Sequence, residues 1–179
     1  MRTRGHSPPA ERAMKAVAMA GEWGAVWVAI GLAGAALDQP RRGRWLRAAA
    51  VAPAAVCANF AVKLAVGRPR PKLRGLSPLG GAPSDLSFPS AHATSSVGAA
   101  IAFSRVEPRT RLPLYALAGT ICVCRPYLGM HYPSDILAGA ALGTIIGGLV
   151  PGVGERTLEE RMVDLVADRD KRAAAAGEE

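Results

Sequence analysis

The sequence predicts an all-α fold: an integral membrane helical bundle of about five transmembrane helices. Three observations carry that prediction. Half of the 179 residues are hydrophobic but only 5% are aromatic, a composition that suits close-packed membrane helices, which favour small residues, better than a large soluble core. Five apolar segments recur along the chain, and one of them, 136–154, runs 19 residues without a charge, near the ~20 residues that a ~30 Å hydrocarbon core requires. That segment also lacks the polar stripe expected of a helix in a soluble bundle.

In chain order, segment 16–37 is interrupted only by Glu22, and segment 45–66 carries Arg47 at one end and Lys63 near the other. Segment 86–104 contains His92, while segment 112–124 is short and must borrow 125–128 to span. Glycines and alanines at close spacing, as at Gly139, Gly143 and Gly147, suit tight helix–helix contact. A cleaved signal peptide over 16–36 would leave the four later segments in place. Residues 9–21 could alternatively lie in the membrane interface as an amphipathic helix. Length predicts one domain, taken as a membrane-embedded unit over 1–154 followed by a charged cytoplasmic tail over 155–179. In the tail, Leu158, Met162, Leu165 and Val166 share one helical side before an Ala-rich end that is expected to be disordered.

The formal charge is +8, from 22 basic and 14 acidic residues. The arginines cluster between apolar segments and not along one face with interleaved aromatics, which argues against nucleic acid and for a lipid bilayer as partner. An outward-facing site puts Arg41, Arg42, Arg44, Arg47, Arg105, Arg109 and Arg111 on the cytoplasmic side, as the positive-inside rule asks, but leaves Arg2, Arg4, Arg12 and Lys15 outside, against it. The reading leans to an extracytoplasmic site in a bacterial inner membrane. The chain holds three cysteines; Cys57, Cys122 and Cys124 all fall in apolar stretches without zinc-type spacing and read as small buried hydrophobes. No metal site is expected. A homo-oligomer is among the arrangements left open.

Three short strings carry the chemistry: Lys63-x6-Arg70-Pro71, Pro89-Ser90-Ala91-His92 and Arg125-x5-His131-x3-Asp135. Ser90 follows a proline and precedes an apolar helix, a good N-cap. Free N–H groups at that helix start attract an anion, and His92 sits in its first turn. Pro133 marks a second helix start, with Asp135 in the first turn four residues after His131. That spacing lets the carboxylate hold one imidazole nitrogen and present the other as a nucleophilic lone pair. Lys63 and Arg70 flank the Gly67 turn, and a guanidinium suits a phosphate bidentately. Between 67 and 88 the composition turns to Pro, Gly and Arg, a loop whose extra cations Arg68, Lys72 and Arg74 could contact a lipid headgroup. Taken singly, each string has a bland reading: a capping serine, an inert surface ion pair, or cations snorkelling to a membrane edge.

Together and in this order, the strings resemble the type-2 phosphatidic acid phosphatase superfamily, whose pattern is K-x6-RP, PSGH and SR-x5-H-x3-D. The resemblance runs from Lys63 to Asp135 and, through helix order, over most of the chain. It implies that His131 attacks phosphorus to form a phosphohistidine, that Asp135 orients it, and that His92 protonates the leaving oxygen and later activates water. It implies that Lys63, Arg70, Ser90, Arg125 and the Ala91 N–H bind the phosphate oxygens, with no cofactor or metal. Two positions depart from the pattern. Ala91 replaces glycine, which keeps the N–H but disfavours positive φ, and Cys124 replaces serine, losing a strong hydroxyl hydrogen bond. Neither removes a group that makes or breaks a bond. The larger membrane members of the family have six spans, one more than is read here.

The implied activity is hydrolysis of a phosphomonoester or diphosphate on a membrane lipid, either polyprenyl-linked or a glycerolipid. Eighteen arginines against four lysines point to a GC-rich bacterial genome, which favours a polyprenyl-linked sugar phosphate such as decaprenylphosphoryl-5-phosphoribose. Two rivals are a vanadate-dependent haloperoxidase-like enzyme and a catalytically inactive membrane protein that binds or moves phospholipids. The long apolar runs count against the first, and the completeness of the motif set counts against the second.

Overall fold

The structure, a computed structural model, describes residues 5–72, 78–82 and 84–150, with Met162, Leu165, Val166 and Arg169 beyond them. Arg74 and nearly all of the tail over 155–179 lie outside the described residues. Helix α1 (Pro8–Ala20) begins where Ser7 accepts the Ala10 N–H at 3.4 Å, with Pro8 and Pro9 in its first turn, a start that proline tolerates because no helical N–H is lost. It does not run straight into α2 (Ala25–Leu37). The segment expected to be continuous over 16–37 breaks at Glu22–Gly24, where Trp23 (φ 53°) and Gly24 (φ 77°) are left-handed and the chain bends by 48°. A Cβ at Gly24 would lie 2.8 Å from that of Ala52, so close contact with the next helix requires a glycine here.

Helix α3 (Arg42–Val66) is 25 residues long and ends at Gly67, whose left-handed φ of 65° returns its N–H to the Lys63 carbonyl at 3.0 Å, a common glycine stop. Helices α4 (Ala91–Val106), α5 (Arg111–Tyr127) and α6 (Pro133–Leu149) complete the bundle. Four of the five apolar segments thus coincide with one helix each, and the first is divided between α1 and α2. The all-α class holds. The central helix is α4, with eleven of its sixteen residues buried. On α6, Gly139, Gly143 and Gly147 face it so closely that a Cβ would collide with the carbonyls of Ser90, Thr94 and Gly98. These glycines make the contact expected of them, backbone against backbone, where dispersion between close surfaces replaces side-chain bulk.

Trp27, Trp45 and Phe103 form the aromatic centre of the core, and the Trp27 indole N–H donates to Ser96 at 3.0 Å. Outside, the pattern reverses: Leu32, Leu64, Leu137 and Ile145 are all more than half exposed. Among the described residues one helix (Gln39–Val66, counting a leading turn) is long and apolar enough to cross a membrane, or two if the bent pair of α1 and α2 is one span. Helices α4, α5 and α6 have 16, 17 and 17 residues, or about 25 Å each at 1.5 Å per residue. Cys122 and Cys124 are buried as expected, but Cys57 is exposed, because α3 turns Val56 and Asn59 inward and Cys57 outward.

Candidate active site

The three strings converge at one end of the bundle, around the start of α4. Lys63, in the last turn of α3, is buried, and its Nζ donates to the carbonyls of Leu86 (3.2 Å) and Pro89 (3.0 Å). One turn earlier, Asn59 donates to the Pro89 carbonyl at 3.3 Å and to Thr94 Oγ1 at 2.9 Å. The two side chains fix the backbone just ahead of Ser90. Beyond Gly67 the chain pairs briefly with 85–87, Ser87 donating its N–H to Arg68 O (2.7 Å) and Arg70 to Asp85 O (3.1 Å). This short antiparallel contact aims Arg70 inward, where Nε donates to Ser84 O and Nη1 to Met130 O, both at 2.9 Å.

Ser90 caps α4, its Oγ accepting the Ala93 N–H at 3.4 Å. Ala91 is the first helical residue and is not among the positive-φ positions; its methyl therefore meets none of the penalty that a left-handed glycine would have implied. His92 is buried, with Nε2 lying 3.0 Å from the Ala18 carbonyl and 3.6 Å from a Glu22 carboxylate oxygen. A carbonyl can only accept, so Nε2 carries the proton.

His131 stands in the loop between α5 and α6, with Nε2 3.3 Å from Arg70 Nη1. A guanidinium can only donate, so this nitrogen holds the lone pair and Nδ1 the proton. Asp135 is fully buried, and its Oδ2 lies 3.5 Å from His131 Nδ1 while accepting the Tyr132 N–H at 2.8 Å. At that separation Nδ1 has no hydrogen bond; a closer approach of a few tenths of an ångström would make one. Burial, reinforced by the charges of Arg125, Arg70 and Lys63, pushes the His131 imidazole down to about 4 against the pull of Asp135. At neutral pH the ring is therefore uncharged, with its Nε2 lone pair facing Arg70.

Arg125, in the last turn of α5, is 3% exposed, and its Nε has no partner. A buried guanidinium edge left unbonded is costly unless an anion meets it. Next to it, Cys124 donates to the Ile121 carbonyl at 3.0 Å and packs with Ala18, Leu128 and Met130.

Of the loop cations, Arg68 turns inward: its Nη1 donates to Asp135 Oδ1 (2.9 Å) and Ser134 Oγ (2.8 Å), and its guanidinium lies 4.1 Å over the Tyr132 ring. A buried carboxylate needs a cation, and Arg68 is the one in reach. Lys72 is exposed. The strings also missed Asn59 and Glu22. Asn59 lies four residues before Lys63 on the same helical face, a signal that was legible. Glu22 is a lone acid in an apolar segment, visible as an anomaly but with no partner that sequence could name.

Buried cations around an open guanidinium suit an anionic phosphorus ester, and an uncharged imidazole backed by a carboxylate suits attack on it. The protein is a phosphoric ester hydrolase. It belongs to the PAP2 superfamily, which it matches over residues 44–157. It is 41% identical over 129 residues to a decaprenylphosphoryl-5-phosphoribose phosphatase of Mycobacterium tuberculosis, covering 72% of this chain and 71% of that protein. A protein of the same name from Mycolicibacterium smegmatis is 39% identical over 126 residues, 70% of this chain and 68% of the relative. Among solved structures, a transmembrane PAP2 type phosphatidylglycerolphosphate phosphatase from Bacillus subtilis superposes with a TM-score of 0.66 at 23% identity, covering 82% of this chain and 77% of that one. At that identity the likeness speaks for the fold.

Proposed function

We propose that the chain is a multi-pass membrane phosphatase that removes the terminal phosphate of a polyprenyl-linked sugar phosphate, decaprenylphosphoryl-5-phosphoribose being the substrate its relatives favour. The observation that carries the mechanism is the placement of His131, with the Nε2 lone pair facing the Arg70 guanidinium at 3.3 Å and Nδ1 turned to Asp135. Nε2 attacks phosphorus, an N–P bond forms and the P–O bond to the sugar breaks. Lys63, Arg70, Arg125, Ser90 and the Ala91 N–H take the charge that builds on the phosphoryl oxygens. His92 gives a proton to the departing oxygen. It then takes one from the water that attacks phosphohistidine, and the N–P bond breaks to release phosphate. Because Ala18 holds a proton on His92 Nε2, Nδ1 is the nitrogen left to gain and lose the transferred one.

Five spans are the topology this reading requires, with α1 and α2 as a bent first span. The exposed leucines and isoleucines on the outer faces support it, since apolar surface of that kind is expected against lipid. The histidines then sit near one membrane face, assigned outward from the arginines gathered at the other. Residues 1–154 form the membrane unit and 155–179 a cytoplasmic tail. The test is a phosphate-release screen of purified chain against prenyl, sugar-linked and glycerol lipid phosphates, with acid-labile, base-stable labelling of His131 as the mark of the intermediate. Release from none of them, or label on another residue, sinks the reading.

A further inference from the structure

Beside the histidine cluster lies a cavity of about 500 Å3, lined by Lys15, Met19, Glu22 and Trp23, by the 79–82 loop and by Arg125. Arg125 is thus shared between this cavity and the phosphate-binding cluster, and it is the buried guanidinium whose Nε has no partner. A volume of this size holds a small organic ligand with room to spare. We propose that this cavity is the sugar subsite: it takes the polyol ring that carries the scissile phosphate.

Two residues at the break between α1 and α2 give the cavity that chemistry. Trp23 is 56% exposed in a wall of the cavity and is held in a left-handed conformation (φ 53°) with the Phe60 ring stacked beside it at 6.1 Å. Left-handed backbone is unfavourable for a bulky residue and persists where the surroundings fix it, often at ligand clamps. Here it places an exposed indole in the cavity wall, an apolar surface for a sugar ring. Glu22 supplies a carboxylate that accepts hydrogen bonds from hydroxyls, as a polyol offers and an isoprenoid or diacylglycerol phosphate does not. Its other neighbour is His92, 3.6 Å away, so a hydroxyl bound at Glu22 is within the reach of the reacting phosphate. A second phosphate in the same place would meet Glu22 as a like charge, which disfavours a diphosphate. Both residues precede the 44–157 stretch matched by the superfamily, whereas Arg125 and the 79–82 loop lie within it, so the two groups that give the cavity its sugar chemistry come from outside the shared core.

The inference rests on the catalytic reading only for the position of the phosphate. The test uses the full chain carrying His131→Ala, so that nothing turns over, and compares the affinities of ribose 5-phosphate and inorganic phosphate by calorimetry. Ribose 5-phosphate should bind at least about tenfold more tightly. Glu22→Gln and Trp23→Leu should each cut that ratio at least about fivefold, while Trp23→Tyr, which keeps a ring, should preserve most of it. A ratio near one in the His131→Ala protein, or a ratio that survives both Glu22→Gln and Trp23→Leu, overturns the subsite; in the second case Trp23 is a membrane-interface anchor. If the screen above finds no hydrolysis, the catalytic reading fails, while this ratio still decides the subsite.

Discussion

At the end of the bundle away from the histidines, Arg41 sits between Asp38 at 2.6 Å and Glu107 at 3.0 Å, and Arg44 donates to the Arg105 carbonyl at 2.9 Å. Arg105 in turn caps the last carbonyls of α6, those of Gly147 and Gly148. At the histidine end the same residue type behaves differently. Lys63 and Arg70 lean on backbone carbonyls, and Arg125 is buried with an unbonded edge. Arginines at the first end are matched within the chain by acids and helix C-termini, so they hold the loops between α2 and α3 and between α4 and α5. At the second end Asp135 is matched by Arg68, while Lys63 and Arg70 rest on neutral carbonyls and Arg125 Nε has no partner. The proposed function places the substrate phosphate against those three cations.

The comparison can be broken by substitution. His131→Ala removes the nucleophile and should lower kcat/KM by more than about 10⁴-fold, measured as phosphate release; near-normal turnover would move the nucleophile elsewhere. Arg125→Ala should cost about 10²–10³-fold through lost charge stabilisation. It should also shift the pH profile. His131 must be uncharged to attack, and burial, reinforced by the cations around it, holds its pKa at about 4, so the acid limb of free-enzyme kcat/KM should lie near pH 4, not near the ordinary 6.5. Removing Arg125 takes away one of those cations and should move the limb upward; a limb that stays put would show that burial alone sets it.

Arg68→Ala should be milder, about tenfold in kcat with KM nearly unchanged, because Arg68 acts through Asp135 and not on the phosphate. A large rise in KM would instead restore it to the headgroup. At the opposite end, Arg41→Ala should leave kcat/KM of the folded protein unchanged and lower stability by about 1 kcal/mol or less, since its partners are part-exposed. A loss of activity there at constant stability would couple the two ends and undo the contrast between them.

How much of this was legible in the sequence differs by region. Helix α6 was nearly complete in it: a proline start, an acid in the first turn, a charge-free run and glycines four apart all point the same way, and the structure uses each of them. The first apolar segment was less so: Glu22 interrupts 16–37, but local pattern does not say that the chain turns left-handed at Trp23 and Gly24. That bend follows from the approach of Gly24 to Ala52 on α3, a contact between residues far apart in the chain. The same holds for Arg68, which by local pattern is a loop cation near lipid and by tertiary structure the counter-charge of Asp135.

By itself, then, the order of residues determined which groups can do chemistry and which stretches must be helices, since these follow from side-chain identity, spacing and local capping. Which cations would be neutralised and which left open was decided only by folding. Partnership depends on distances across helices, and a separation of 2.9 Å between Arg68 and Asp135, 67 residues apart, has no trace in local sequence.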